Sequence, residues 1–141
     1  MTTTNYFEQG RHCMCCFVYS CANLALYLGK EDVPSLLEAR EIANCRKLPP
    51  KIKGQLIKMF DLPLKEISGK DFEKVFETGG IITIHHPIWN IHACVIIPQE
   101  NGRYTLLNSF LGPTYCPDLK KESIYNYIAK EGDRKHWVLE I

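Results

Sequence analysis

The hydrophobic period of this chain changes at Gly79-Gly80, and that change limits the folds open to it. Before it, apolar residues recur at helical intervals; after it, they run in short β-branched stretches. Phe17, Cys21, Leu24 and Leu28 have the spacing of a buried or half-buried helix, which Gly29 and Lys30 stop. Asp32 can cap a second helix with Pro34 near its first turn, packing through Leu36, Leu37, Ala39 and Ile42 and ending before Cys45. Pro49-Pro50 reads as a rigid loop, and residues 52 to 60 as a third helix with Leu56, Ile57 and Phe60 inward. Leu62-Pro63-Leu64 reads as extended, because a residue before proline avoids the helical region. Ser68 can cap a fourth helix, with Asp71 at N3 and Phe72, Val75 and Phe76 as its apolar face.

Beyond the glycines, Ile81 to Ile84 predicts a central strand and His85 to Asn90 a loop. Ile91 to Pro98 predicts a second strand, Glu100-Asn101-Gly102 a hairpin turn, and Arg103 to Asn108 the antiparallel partner. Residues 109 to 119 contain Gly112-Pro113 and Pro117 and read as an irregular connection. A last helix is expected from Lys120 or Glu122 to Lys130, presenting Ile124, Tyr127 and Ile128, and a strand from His136 to Ile141. Helices first and an antiparallel sheet second make an α+β fold, expected as one domain over residues 1–141.

Apolar residues make up 45% of the chain and charged residues 23%, a globular composition rather than a disordered one. The net charge is +1 with both signs interspersed, so no basic stripe exists for nucleic acid to follow. No apolar run approaches the length of a membrane span, and no Lys- or Arg-led apolar leader opens the chain. Seven cysteines, three of them crowded at positions 13, 15 and 16, argue for reduced thiols rather than a disulfide framework. The expected setting is therefore cytoplasmic, or that of a secreted effector delivered elsewhere.

The crowded thiols, Cys13, Cys15 and Cys16, stand where the first helix begins. A thiol there faces unsatisfied backbone N–H groups and the positive end of the helix dipole, which favour thiolate. Cys15 is the candidate nucleophile and Cys16 its rival. A helix turns about 100° per residue, so the two cannot point into one cleft. Gln9, six residues before Cys15, is a candidate oxyanion donor. His92 is the candidate base; His85 and His86 are its competitors. Alternation puts His92 on one strand face with Cys94 and Ile96, and Ala93, Val95 and Ile97 on the other. Asn108 can fix the imidazole tautomer if the hairpin register brings it beside His92, and Trp89 can line or shield the cleft. Each has a plainer reading: a packed thiol, a cross-strand histidine, a turn asparagine, an exposed glutamine and a core tryptophan.

The order Gln9, Cys15, His92, Asn108 resembles the papain-like cysteine peptidases. It is most similar to their compact bacterial branch, the C39-like peptidases that process leader peptides at double-glycine sites. In that family the nucleophile opens the central helix, a glutamine precedes it by six residues, and His and Asn or Asp come from neighbouring strands. Gln9 and Cys15 have that separation, and Asn108 follows His92 by sixteen residues. The resemblance spans nearly the whole chain. It departs at Cys15-Cys16, where the pattern has Cys-Gly, and at Asn108-Ser109, where it has Asp-Pro. It implies a papain-like α+β fold, a peptide or protein substrate, no cofactor, and peptide hydrolysis through Cys15, His92 and Asn108 with Gln9 at the oxyanion. The same acyl-enzyme chemistry serves an amidase, a deamidase or a transglutaminase-like effector. A noncatalytic peptide-binding module would keep the fold without a reactive thiol. A structural zinc on His12, Cys13, Cys15 and Cys16 is the weaker account, because four groups in five consecutive positions cannot readily wrap a tetrahedral ion. No metal is expected, and no glycine-rich loop offers to cradle phosphate.

Overall fold

The computed structural model describes residues 16–29, 50–86, 90–107 and 116–140. The expected helix at 32–45, together with Gln9, Cys13, Cys15, Trp89 and Asn108, lies outside them. Helix α1 spans Cys16–Tyr27, and every residue from Phe17 to Ala25 is buried. Its only polar side chains over that run are those of Tyr19, Ser20 and Asn23, so it can be enclosed on all sides. Gly29 ends it at φ 74° with its N–H on the Leu26 carbonyl, the exit expected of that glycine.

Helix α2, Pro50–Met59, buries Leu56, and Phe60 just beyond its end is buried with it. The prolines were expected to hold a loop, but Pro50 sits in the first turn of α2, where its missing N–H costs nothing. Strand β1 follows at Leu64–Ser68. Ser68 does act as a cap, but it accepts from Lys70 N–H at 3.3 Å and opens a 3-10 turn, Gly69–Lys74. Asp71 is non-helical at φ −96° and ψ 22°, so the expected capping box gives way to this turn. The α-helical part, α3, is only Val75–Thr78.

Strands β2 (Gly80–His86), β3 (Asn90–Pro98), β4 (Tyr104–Leu107), β5 (Cys116–Leu119) and β6 (Lys135–Leu139) join β1 in one sheet of order β1-β6-β2-β3-β4-β5, antiparallel at every pairing. Ile81, Ala93, Val95, Ile97, Leu107, Trp137 and Leu139 pack with α1 and α2 on one face. Ile82, Ile84, Cys94, Ile96 and Val138 pack with Val75, Phe76, Ile124 and Ile128 on the other. A sheet covered on both faces explains why β2 and β3 read as near-continuous apolar runs. Each fully buried Ile, Leu or Val contributes roughly 1.5–3 kcal/mol before entropy is counted.

The glycine pair that marks the change of period has a steric role. Gly79 is at φ 80°, and a Cβ there would come 2.5 Å from the Ile96 carbonyl oxygen. A Cβ on Gly80, at φ 144°, would overlap the carbonyl oxygen of Trp137 on β6. Only glycine lets β2 start in close contact with both neighbours.

Three further expectations are corrected. His85 and His86 belong to β2 rather than to a loop, paired with Ile91 and Asn90 across the hairpin. Residues 116–119 form an edge strand on β4, where Pro117 is tolerated because an edge leaves one side of the ladder unused. The last helix, α4, is only Lys121–Tyr125. Its continuation is captured by β2, because β6 pairs with only Gly80 and Ile81 of that strand. Beyond them the β2 backbone needs partners. Tyr127 carbonyl accepts from His85 N–H at 2.7 Å, Ala129 N–H donates to Thr83 carbonyl at 2.9 Å, and Ile128 bridges Ile84.

Candidate active site

Helix α1 begins at Cys16 and runs under the middle of the sheet, so its first turn meets β3. Cys16 Sγ accepts a hydrogen bond from Ala93 N–H at 3.4 Å. The thiol end of the helix therefore touches β3 at the residue immediately after His92. Strand alternation holds as expected: Ala93, Val95 and Ile97 face α1, while His92, opposite Ile84, shares the face of Cys94 and Ile96. His92 is 3% exposed, a degree of burial that suits a positioned group better than a surface one.

Burial raises the Cys16 thiol above its usual pKa. Four influences oppose that rise: the Ala93 amide, the positive charge of Lys53, and the N–H groups of Phe17 and Cys16 itself. The last two are the unsatisfied donors of the helix start. The sulfur is thus partly desolvated yet surrounded by groups that stabilise an anion. Cys21, fully enclosed, has its pKa pushed far up by burial alone and is inert packing. Cys94 is fully buried on the far face of the sheet. None of these three thiols is in a disulfide.

The structure places His92 and Cys16 at one end of β3 and α1; Gln9, Cys15 and Asn108 fall outside the described residues. Leu107, the residue before Asn108, pairs with Val95, three positions along β3 from His92. His85 stands apart, its ring nitrogen Nε2 2.7 Å from Glu131 and nearly half exposed. Among the described residues no three His, Cys, Asp or Glu side chains gather as a metal-holding group, and no helix is long and apolar enough to cross a membrane.

Lys53 was not singled out in the sequence. Its Nζ lies 5.5 Å from the ring centre of Phe17 and 5.0 Å from that of Trp137, which themselves meet edge-on at 4.7 Å. The signal was present: Lys53 precedes Leu56 by three and Ile57 by four, which puts it on the packing face of α2.

No family model matches the chain, and no curated protein matches it. Solved structures do. The peptidase domain of Streptococcus ComA, a bifunctional ABC transporter involved in a quorum-sensing pathway, superimposes with a TM-score of 0.66 at 13% identity, over 96% of this chain and 100% of that one. A double-glycine-motif protease from an AMS/PCAT transporter, solved in complex with its leader peptide, gives 0.61 at 14% identity, over 98% and 94%. At such identities the likeness establishes the fold: helices packed on an antiparallel sheet, as in these two domains.

Proposed function

We propose that this chain is a thiol peptidase that hydrolyses peptide bonds with a cysteine at the opening of α1 and His92 as proton carrier. The observation that carries this reading is the contact of Cys16 Sγ with Ala93 N–H, which sets the helix start against the β3 backbone one residue from His92. Alternation gives the imidazole to the Cys94 face, so the reading requires it to reach the sulfur around the end of the strand. The fold shared with two protease domains supports it, and the leader peptide held by one of them supports a peptide or protein substrate.

His92 takes the thiol proton, and the sulfur attacks the carbonyl carbon of the scissile bond. The carbonyl electron pair moves to oxygen, where the Gln9 amide and the nucleophile's own N–H receive it. Collapse breaks the C–N bond as His92 protonates the departing amine, leaving a thioester. Water then attacks that thioester with His92 as base, and the C–S bond breaks to release the acid. Asn108 orients the imidazole and fixes its tautomer.

The spacing from Gln9 assigns the nucleophile to Cys15. The Ala93 contact favours a second assignment, Cys16, the first residue of α1. Incubation of wild type, Cys15→Ala and Cys16→Ala with a peptide library, followed by mass spectrometry, tests both. New peptide termini and an acyl-enzyme are expected in wild type. Loss in Cys15→Ala alone confirms the spacing assignment, and loss in Cys16→Ala alone moves the role by one residue. Ammonia release with intact peptides would make the chain a deamidase, and cleavage retained in both variants would remove the covalent mechanism.

A further inference from the structure

The geometry points to Lys53 as the positioning charge of the thiol site: its ammonium, held against Phe17 and Trp137, keeps the opening of α1 at positive potential and enlarges the thiolate fraction there. The inference rests on the peptidase reading for its purpose, though not for its measurement.

Lys53 Nζ stands 5.5 Å from the ring of Phe17, the residue that follows Cys16 in α1, and Cys16 packs against the same cluster as that ring. Trp137 supplies the second ring, and the perpendicular meeting of the two aromatics fixes the place where Nζ sits. The site is walled by core side chains, with Cys16, Ile52 and Ile57 all packed against the cluster that contains Phe17 and Trp137. Charge acts strongly in such partly desolvated surroundings. The Lys53 charge opposes the rise that burial imposes on the Cys16 thiol, alongside the helix-start N–H groups.

The neighbouring strands carry titratable groups of their own. His92 lies on β3 beside the amide that the sulfur accepts from. By register, His85 on β2 and Lys135 on β6 share the sheet face that packs on α1. His85 is engaged with Glu131. Lys53 is the α2 cation that the aromatic pair holds, and the two rings locate it independently of any titration.

The test measures thiol reactivity and needs no substrate. Wild type, Lys53→Met, Lys53→Gln and Lys53→Arg are alkylated with limiting iodoacetamide across pH, and each cysteine is followed by peptide mapping. Buried Cys21 and Cys94 serve as internal references. Lys53→Met and Lys53→Gln should move the alkylation profile of Cys16 to higher pH, slowing it about three- to tenfold at neutral pH. Lys53→Arg should keep the wild-type profile. A cooperative urea transition followed by far-UV circular dichroism identifies any variant that has lost its fold. An unchanged profile in folded Lys53→Gln overturns the inference. So does an equal shift in all three variants, which would make the lysine a packing element. Absence of peptide cleavage in wild type would defeat the peptidase reading yet leave this measurement intact.

Discussion

His136 Nδ1 accepts the backbone N–H of Thr83 at 3.0 Å, while its Nε2 donates to the Ala129 carbonyl at 2.8 Å. The ring is fully buried and joins β6, β2 and the segment before β6 at the point where β6 leaves β2. Both bonds fix one neutral tautomer, because a protonated Nδ1 could not accept. Burial accordingly lowers the His136 pKa, only partly offset by the Ala129 carbonyl and the Glu131 charge.

Stability should therefore fall in mild acid. The unfolded histidine titrates near 6.5 and the folded one below it, so the unfolded state binds more protons in between. The His136 contribution is complete above the unfolded pKa and is lost as pH drops toward the folded one. Urea unfolding from about pH 8 to pH 5 should show a slope of up to about 1.4 kcal/mol per pH unit in that window. In His136→Leu the slope should disappear, at a cost of roughly 1–3 kcal/mol from the orphaned Thr83 N–H. An unchanged slope in that variant would assign the acid sensitivity elsewhere.

Gly80 and Gly29 should respond differently to alanine. A Cβ at Gly80 overlaps Trp137 backbone, whereas at Gly29 nothing lies within 4 Å. Gly29→Ala should cost about 1 kcal/mol, for its left-handed φ alone. Gly80→Ala should cost more than about 3 kcal/mol and disturb the near-UV signal of Trp137. Equal midpoint shifts in urea would show that β6 yields easily at that contact.

Proton transfer and orientation should separate in kinetics. His92→Ala should lower turnover by about 10²–10⁴-fold, and Asn108→Ala by less, if Asn108 only holds the ring. Gln9→Ala should cost about 3 kcal/mol in kcat with little change in KM. A KM effect at Gln9 with unchanged kcat would place that side chain on the bound substrate instead of on the oxyanion.

The elements legible in the sequence are those whose partners are local. Gly29 stops α1, and the hairpin from Ile91 through Gly102 to Leu107 follows from alternation and its turn residues. Strand β1 was legible only as extended chain, since its pairing joins Leu64 to Leu139. Ile124 and Ile128 have helical spacing, yet the unpaired edge of β2 claims Ile128. Proline after His86 disguised the end of a strand, and Pro117 disguised an edge strand. At the candidate site, residue type and order single out the thiol cluster and His92, of which the structure describes Cys16 and His92. Lys53 was missed because a lysine reads as solvent-facing unless its spacing to Leu56 and Ile57 is weighed.

Nine consecutive buried residues leave α1 no face along which it can slide. Its first turn works as an anvil set in the middle of the molecule. On the proposed peptidase reading, a substrate chain therefore meets a helix start that does not shift, and changes of selectivity fall to the residues that line its path rather than to α1.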